Sequence, residues 1–423
     1  MRKTISRVLR RLATPTADKI SLGCDLVSGG NHEAAKLLFR QYLDKHEPET
    51  ASEIIGEAVN SLGEPGLTSR EHLEITRKVK SQIEGTQHNS LPPQSWLSLC
   101  RIVTSVGFIE AGTACRDRAI NSALGSAGRP IKSHLESAQA ALEYGNYDLC
   151  RKSLDAGLNH EILLLFKNQL NYIYGESKAE NECFQKRRFH ENRSLTNLDS
   201  IAFVGPAVSP SDNSGDIDSH DVVVRCGYSG LDSIPNRTGM RTDVAFYAGH
   251  KIRGLFSTGK LDALRDLRLV IVKHRSDYEL LRRSGFDEEC VQTSIGGGLL
   301  FYATAPNAGI EAILNCLYLG AKQVKVYNTD LFLSDSYPSG YITNKSILPN
   351  AISTYSVPKM DMCVSFGSGH HPAAQFRFYK RMYEMGKVSG DPVFDEIMNM
   401  ELVDYLRRLD LLYGRVTWDS IRK

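Results

Sequence analysis

Two short apolar runs separated by a polar loop constrain the fold of this chain more than any other feature. Residues 201–204 read IAFV and stop at Gly205, and residues 222–224 read VVV and lead into Arg225. The loop between them is rich in Ser, Asp, Asn and Gly. Such β-branched runs, bounded by glycine and polar loops, are typical of buried strands in an α/β sheet. A glycine just past such a strand lets the backbone approach a ligand, and nucleotides bind at these strand ends.

A helix followed by a strand is predicted further along the chain. Asn307 is a good N-cap for a helix of apolar periodicity that Gly320 ends, and residues 324–327 then read VKVY as a strand. Residues 243–247 and 268–273 are further strand candidates. The C-terminal half is therefore predicted to be an α/β domain.

These two regions resemble the L and S sialylmotifs of the sialyltransferase family. The L-like segment is residues 201–227, of which GDIDSHDVVVRCG, residues 215–227, matches best. GMRTDVAFYAG, residues 239–249, resembles the end of the same motif. The S-like piece is the helix that starts PNAG at residue 306, together with the strand that follows it. The resemblance spans roughly residues 200–390, about half of the chain. It implies a Rossmann-like glycosyltransferase domain, a variant of the GT-A fold, that uses a CMP-activated sugar.

The resemblance also implies which residues bind the nucleotide. In the family, the small polar residue and the glycine at the S-motif helix start contact the cytidine nucleotide, and here these are Asn307 and Gly309. The free N–H groups and the dipole of a helix N-terminus favour an anion. Pro206 and Gly227, however, stand where the family has nucleotide-contacting asparagines. We predict a nucleotide site formed by Gly205, Ser214, Gly215, Arg225, Gly227, Asn307, Ala308, Gly309 and Asn328.

Two adjacent histidines precede a further helix. Residues 367–386 read GSGHHPAAQFRFYKRMYEMG, and Pro372 suits the first turn of a helix, so His370 and His371 lie at its N-terminus. The helix dipole there disfavours imidazolium and keeps the ring neutral, as a general base requires. The family's VS motif is H-x4-E with the histidine as base, and His370 with Gln375 gives H-x4-Q. We therefore prefer His370 to His371 as the catalytic base; simple capping of the helix by both is the alternative.

Asp216 and Asp218 form a D-x-D pair of the kind that holds a metal ion in many nucleotide-sugar transferases. The pair precedes the second strand inside the L-like pattern, and the resembled family needs no metal. A monophosphate leaving group also has no diphosphate for Mn²⁺ to clamp. We therefore expect no metal ligand and no cofactor, because the CMP-sugar is a donor substrate.

The N-terminal half has a helical pattern from about residue 20 to 180. Three similar segments begin at Gly30, Gly107 and Gly145, each with an acidic residue three positions on and small or apolar residues at helical spacing. Their spacing, near 38 residues or twice that, predicts stacked helical hairpins that resemble degenerate tetratricopeptide-type repeats. Stacked hairpins offer concave surfaces, so we expect a protein partner or self-association, with a plain helical domain as the alternative. The predicted domains are residues 1–195 and 196–423.

Composition limits the class of protein and its setting. A net charge of +2 over 423 residues argues against a nucleic-acid binder. Nine cysteines without CxxC or metal-ligand spacing indicate buried thiols in a reducing compartment. No apolar run reaches the roughly 20 residues of a spanning helix, and the N-terminus lacks the apolar region of a signal peptide. Animal members of the family carry a membrane anchor, so these features predict a bacterial, cytoplasmic enzyme.

The first residues carry a basic amphipathic pattern. Apolar residues at positions 5, 8, 9 and 12 share one helical face among Arg2, Lys3, Arg7, Arg10 and Arg11. Such a helix can lie on an anionic membrane surface, which would place the enzyme peripherally at the inner face of the membrane. A solvated helix packed on its own domain and a disordered tail are the alternatives.

The combined features predict an inverting glycosyltransferase. It would move a sialic acid or Kdo-type sugar from a CMP-activated donor to a hydroxyl of a glycan or glycolipid acceptor. A cytoplasmic enzyme of this kind would take part in polysaccharide biosynthesis, building a capsule or lipopolysaccharide. Two alternatives stay open: a transferase that uses another nucleotide sugar, given Pro206 and Gly227, and a non-catalytic scaffold with a transferase-like fold.

Overall fold

A computed structural model describes most of the chain. The described stretches are residues 16–46, 49–62, 66–87, 91–125, 131–156, 161–174, 200–207, 210–234, 237–248, 251–334, 336–338, 354–356 and 359–421. The predicted basic helix at the N-terminus and the predicted domain boundary near residue 195 lie outside these stretches, so both stay predictions. No helix in the described stretches is both long and apolar enough to cross a membrane.

Up to residue 174, all described elements are helices. They are α1 (Thr16–Ser28), α2 (His32–His46), α3 (Glu49–Asn60), α4 (Ser69–Gly85), α5 (Pro93–Ser105), α6 (Ile109–Leu124), α7 (Ile131–Glu143), α8 (Tyr147–Asp155) and α9 (Glu161–Tyr174). Cysteines and aliphatic side chains at helical spacing are buried between them, which explains why the apolar periodicity predicted helices throughout.

The three similar segments form equivalent turns between paired helices. Gly30, Gly107 and Gly145 adopt left-handed φ angles of 70°, 94° and 77°. In each turn, the glycine N–H and the next N–H reach back to carbonyls of the preceding helix, as Gly107 does to Thr104 O at 3.0 Å and Phe108 to Val103 O at 3.1 Å. This is the Schellman arrangement, which needs a residue that tolerates positive φ. The repeated glycines therefore mark three helical hairpins: α1–α2, α5–α6 and α7–α8.

The second part of the chain is built on a seven-stranded sheet in which all paired strands are parallel. Its strands are β1 (Ile201–Val204), β2 (Val222–Cys226), β3 (Val244–Tyr247), β4 (Leu269–Val272), β5 (Val291–Thr293), β6 (Val324–Tyr327) and β9 (Val388–Gly390), in the spatial order β5-β4-β3-β2-β1-β6-β9. An antiparallel pair, β7 (Ser336–Pro338) and β8 (Thr354–Ser356), stands apart from it. The predicted α/β class is confirmed.

Helices connect and flank these strands. The α-helices are α10 (Ser214–Ser219), α11 (Lys251–Ser257), α12 (Arg275–Arg283), α13 (Ala308–Tyr318), α14 (Lys359–Ser368), α15 (Pro372–Glu384), α16 (Pro392–Met398) and α17 (Leu402–Tyr413). Short 3-10 helices cover Leu231–Ser233, Leu261–Leu264, Glu288–Cys290, Gly298–Leu300 and Arg415–Ile421.

The strand order reverses at β1. From β1 the chain adds β2 to β5 on one side, and it then returns to place β6 on the other side. Val204, the last residue of β1, is level with Arg225 of β2 and Tyr327 of β6. The carboxyl ends of these three strands therefore border one crevice, the usual ligand position in an open parallel sheet.

The helical part and the sheet part share buried surface. One hydrophobic cluster runs from the side chains of α1 to those of α17 and includes strand residues of the sheet. Three helices of the C-terminal part, α14, α15 and α17, pack on α5, α7 and α6 respectively. The buried cluster therefore includes side chains from both sides of the predicted boundary near residue 195.

Candidate functional site

A pocket opens at the carboxyl edge of the sheet, where β1, β2 and β6 end. Its walls border about 450 Å³ of space free of protein atoms, and this volume includes open solvent. The lining residues are Phe203, Pro206, Cys226, Asn307, Gly309, Thr329, Asp330, Leu331, Phe332 and Tyr379. An apolar and aromatic wall with a few polar groups is usual for small-molecule sites. The L-like and S-like segments therefore meet in one pocket, although they lie far apart in the chain.

The N-terminus of α13 forms one wall of the pocket. The Asn307 side chain accepts a hydrogen bond from the Ile310 N–H at 2.8 Å, which is the predicted cap. Ala308 and Gly309 carry first-turn N–H groups, which have no acceptor within a helix. Both residues are half-buried, and Gly309 lines the pocket. The positive end of the helix dipole therefore makes this wall favourable for an anion.

The loop after β6 forms a second wall and is strained. Asn328, Leu331 and Phe332 have φ angles of 52°, 45° and 71°. For a residue other than glycine, such a left-handed backbone costs on the order of 1–3 kcal/mol. The Asn328 N–H donates to the Asp391 carboxylate at 2.9 Å, and the Phe332 N–H donates to the Asp330 carboxylate at 3.1 Å. These bonds fix the loop so that Leu331 and Phe332 face the pocket.

Two predicted nucleotide-binding residues, Gly205 and Asn328, join the β1 and β6 loops. The Gly205 N–H donates to Tyr327 O at 2.8 Å, and the Asn328 amide donates to Ala207 O at 3.0 Å. A β-carbon on Gly205 would collide with the Asn328 carbonyl oxygen and the Thr329 hydroxyl. The glycine is therefore required by the close approach of two loops, whereas the sequence suggested the approach of a ligand.

Ser214 and Gly215, also predicted to bind the nucleotide, begin the short helix α10 outside the pocket lining. The Ser214 N–H donates to the Asp212 carboxylate at 3.0 Å. Gly215 is exposed, and a β-carbon there would touch no atom of the described residues within 4 Å. The structure gives neither residue a contact with the pocket wall.

Both carboxylates of the D-x-D pair are engaged by other groups of the protein. Asp216 accepts from the Lys325 amine at 2.7 Å and from the Tyr327 hydroxyl at 2.5 Å, and these bonds lower the pKa of its carboxyl. Asp218 accepts from the backbone N–H groups of Met240 and Arg241 at 2.9 and 3.0 Å. Among the described residues, no cluster of three His, Cys, Asp or Glu side chains could hold a metal ion. Asp216 therefore ties α10 to β6, and Asp218 holds the loop before β3.

Arg225 lies at the end of β2 and is only 5% exposed. Its guanidinium donates to Arg241 O and the Thr242 hydroxyl, each at 3.1 Å, and to the carbonyls of Thr238 and Gly239. Burial lowers the pKa of Arg225 to about 10. This predicted nucleotide-binding residue therefore holds the loop before β3 against β2.

Gly227 follows β2 with a φ of 66°, and the Lys251 side chain packs directly against it. Burial lowers the pKa of the Lys251 amine, while the neighbouring Cys226 thiol raises it. Cys226 itself lines the pocket. Gly227, which stands where the resembled family has an asparagine, thus leaves room for the Lys251 side chain.

His370 is half-buried at the junction between α14 and α15. Its Nδ1 lies 3.0 Å from Ala305 O. A carbonyl can only accept, so Nδ1 carries the proton in this bond, and the neutral ring then has its lone pair on Nε2. Ala305 lies two residues before Asn307, which lines the pocket. His370 therefore has the tautomer that a general base needs, close to the start of α13.

His371 is the N-cap residue of α15 and is only 3% exposed. Neither ring nitrogen has a hydrogen-bond partner among the described residues. Burial, followed by the positive charges of Arg116 and Arg377, holds the pKa of His371 well below its ordinary value. The ring is therefore a neutral part of the interface between α15 and the N-terminal helices, and it is shielded from solvent.

Several residues of the pocket carry no signal in the sequence. Asp330, Leu331 and Phe332 follow β6 in an irregular loop, and their left-handed backbone is unusual for bulky residues. Tyr379 is a buried aromatic residue of α15, a kind of position that is typical of core packing, yet it lines the pocket. The β6 strand end was the only available hint, because ligands bind where such strands stop.

Comparisons of this chain with protein-family models, with curated proteins and with solved structures gave no match. The fold and the pocket geometry therefore carry the functional argument.

Proposed function

We propose that this chain is an inverting glycosyltransferase of Rossmann-like, GT-A variant fold, which takes a sialic acid or Kdo-type sugar from a CMP-activated donor. One observation carries the proposal: the three motif-like segments converge on one place. The L-like segment supplies Pro206 and Cys226 to the pocket, and the S-like segment supplies Asn307 and Gly309. The third segment holds His370 against the backbone just before Asn307.

The donor would bind with its nucleoside against the aromatic wall and its phosphate at the start of α13. Phe203, Phe332 and Tyr379 give the apolar surface, and the first-turn N–H groups of Ala308 and Gly309 would donate to the phosphate. Negative charge grows on the CMP phosphate as its bond to the sugar breaks. Fixed N–H dipoles aimed at that charge stabilise the transition state more than the ground state.

The acceptor side would use His370. An acceptor hydroxyl attacks the anomeric carbon from the face opposite the departing CMP, so the configuration at that carbon inverts. As the new C–O bond forms, the hydroxyl proton passes to the Nε2 lone pair of His370, and the bonding pair of the old C–O bond leaves with the phosphate. The Nδ1 bond to Ala305 O keeps the ring in the tautomer that accepts this proton.

The proposed reaction assigns no step to a metal ion, and a metal-independent enzyme without a cofactor stays our expectation. The acceptor would be a glycan or glycolipid, and the helical hairpins would bind a protein partner or a second copy of the chain. A cytoplasmic setting, with peripheral contact at the inner face of the membrane, belongs to the same proposal. The geometry of the pocket bears only on the donor and the base.

A second candidate is a transferase that uses a different nucleotide sugar. Pro206 lines the pocket at the position where the resembled family has an asparagine. Proline offers neither an N–H nor a polar side-chain atom, so a nucleotide beside β1 receives no hydrogen bond from this residue. A non-catalytic scaffold is the remaining alternative.

Ligand-induced thermal stabilisation separates these candidates. CMP at a hundredfold excess over its dissociation constant should stabilise the protein by about 2.7 kcal/mol, while UDP and GDP should not. Phe332→Ala should weaken CMP binding by about 1–3 kcal/mol if the base stacks on this ring. Phe256→Ala is the matched control, because Phe256 is 54% exposed on α11 and outside the pocket lining. If UDP or GDP stabilises the protein and CMP does not, the donor is a different nucleotide sugar. If none of the three nucleotides stabilises it, a non-catalytic scaffold is favoured.

A further inference from the structure

A fully buried glutamine connects the proposed base with the proposed nucleotide-binding helix. Gln375 lies in the first turns of α15 and is 0% exposed. Its Oε1 accepts from the Asn307 N–H at 2.9 Å, and its Nε2 donates to Ala305 O at 3.0 Å. The Gln375 side chain therefore links α15 to residues 305–307, the segment that leads into α13.

This position requires a side chain that both donates and accepts. The Asn307 N–H is only a donor and Ala305 O only an acceptor, so the two bonds also fix which end of the amide is oxygen. Gln375 is buried, so an apolar replacement would leave a backbone N–H without a partner, which is costly. An ionised carboxylate would accept from Asn307 but would place its second oxygen against the Ala305 carbonyl with no proton between them.

The same Ala305 carbonyl also accepts from His370 Nδ1 at 3.0 Å. One carbonyl oxygen thus receives two donors, the His370 ring and the Gln375 amide, which matches its two lone pairs. Further bonds brace this junction: Ala305 N–H donates to Gly369 O at 2.9 Å, and the His371 N–H donates to the Thr304 hydroxyl at 3.0 Å. A displacement of Ala305 would therefore move the His370 ring and the Asn307 cap together.

We propose that Gln375 is a positioning residue that sets the His370 ring and the start of α13 in one geometry, so that donor binding and proton transfer depend on the same amide. The roles of His370 and α13 in this statement rest on the proposed function. The link itself rests only on the hydrogen bonds of Gln375. In the H-x4-Q segment, the glutamine is thus the residue that ties the histidine to the nucleotide site.

The first experiment removes both hydrogen bonds with Gln375→Leu. We expect backbone amide exchange of the segment 305–310 to rise roughly tenfold or more, because a buried hydrogen bond is lost. The affinity for CMP and the turnover number should both fall by a similar or larger factor. Gln169→Leu is the matched control, since Gln169 is 2% exposed and its amide donates to a different loop, to Gly296 O at 3.0 Å. Unchanged exchange at 305–310 in Gln375→Leu would overturn the proposal.

The second experiment uses Gln375→Glu, which remains informative if the leucine variant does not fold. A protonated carboxyl can donate to Ala305 O and accept from Asn307, as the amide does, whereas the ionised form cannot donate. Burial raises the pKa of a carboxyl. The turnover of Gln375→Glu relative to wild type should therefore be near one in acid and fall severalfold as pH rises. The turnover of both proteins should be measured at each pH, and a ratio that does not vary with pH would contradict a positioning role.

The two proposals fail in different ways. A wild-type protein that neither binds CMP nor transfers a sugar would reject the proposed function, while the exchange of residues 305–310 would still decide whether Gln375 fixes the start of α13. A wild-type protein that binds CMP and transfers sugar, with Gln375→Leu equal to it in exchange, affinity and turnover, would reject the positioning role alone.

Discussion

At the scale of single residues, the two adjacent histidines show how one position along the chain changes the chemistry available. The His370 ring is half-buried and hydrogen-bonded through Nδ1, so its lone pair on Nε2 is directed away from that bond. The His371 ring is 3% exposed, and no described residue bonds either of its nitrogens. A general base must reach the proton that it takes, and of these two rings His370 is the one that is partly exposed, as the proposed mechanism requires.

His370→Ala should leave CMP affinity unchanged and lower turnover by roughly 10²- to 10⁴-fold, the usual contribution of a positioned general base. CMP affinity should persist because His370 is not among the residues that line the pocket. Turnover should be measured per folded molecule beside His371→Ala, which should lose less. Near-normal turnover in His370→Ala with a large loss in His371→Ala would identify His371 as the base instead. Near-normal turnover in both would remove the pair from the mechanism.

His371 should make the protein sensitive to acid. Burial holds the pKa of His371 well below 6.5, so below that pH the unfolded chain takes up a proton that the folded protein refuses. Above pH 6.5 this group takes nothing from the free energy of unfolding. Below pH 6.5 the free energy of unfolding decreases as the pH drops, by at most about 1.4 kcal/mol per pH unit. His371→Asn should therefore flatten the loss of unfolding free energy between pH 7 and 5 in urea titrations. Identical pH slopes would show that the ring is protonated inside the fold.

At the scale of elements, the sequence predicted the helices and strands that are specified by patterns within their own segments. The strands β1, β2 and β6 are buried, so they read as β-branched runs, and α13 carries its own cap and its own terminal glycine. The edge strands β5 and β9 are three residues long and gave no pattern. Among the pocket residues, the sequence predicted Asn307 and Gly309, because they lie at the start of α13, which carries its own local pattern.

The remaining site residues depend on contacts between distant segments. The Arg225 guanidinium donates hydrogen bonds to the loop 238–242. In the sequence, an arginine at the end of a predicted strand gives no sign of this contact. Leu331 and Phe332 line the pocket because hydrogen bonds from other segments hold a left-handed loop, including Tyr405 OH to Leu331 O at 2.8 Å. No local pattern specifies such tertiary contacts.

Two glycines test whether the loops after β1 and β6 must touch. Gly205→Ala should destabilise the protein by about 1–3 kcal/mol and weaken CMP binding, because the new carbon collides with the Asn328 carbonyl and forces the loops apart. Gly215→Ala is the control: its β-carbon meets no atom of the described residues within 4 Å in α10, so it should be neutral or stabilising by about 0.5–1 kcal/mol. Equal stability and equal CMP affinity of the two variants would contradict the close loop contact.

At the scale of the whole molecule, helices from both parts of the chain complete one another. Helix α6 has no side-chain cap of its own. The Asp410 carboxylate, from α17, accepts instead from the Ile109 and Glu110 N–H groups at 2.7 and 3.1 Å. Arg377 of α15 pairs with Asp117 at 2.8 Å. The sequence suggested two domains, but these contacts mean that residues 196–423 alone would lose buried partners.

Asp410 therefore offers a test of whether the two parts unfold as one unit. Asp410→Ala leaves two buried N–H groups of α6 without an acceptor, and each such loss costs about 1–3 kcal/mol. Asp410 is 4% exposed, whereas Asp404 on the same helix is exposed and pairs with Arg407 at 3.7 Å, so Asp404→Ala should cost at most about 1 kcal/mol. In calorimetry we expect one transition that moves to lower temperature as a whole in Asp410→Ala and hardly moves in Asp404→Ala. Two transitions, of which Asp410→Ala shifts only one, would show that the helical part and the sheet part fold independently. In that case the buried cluster that joins them is an interface between domains, and nucleotide binding by the sheet part should survive removal of the helices.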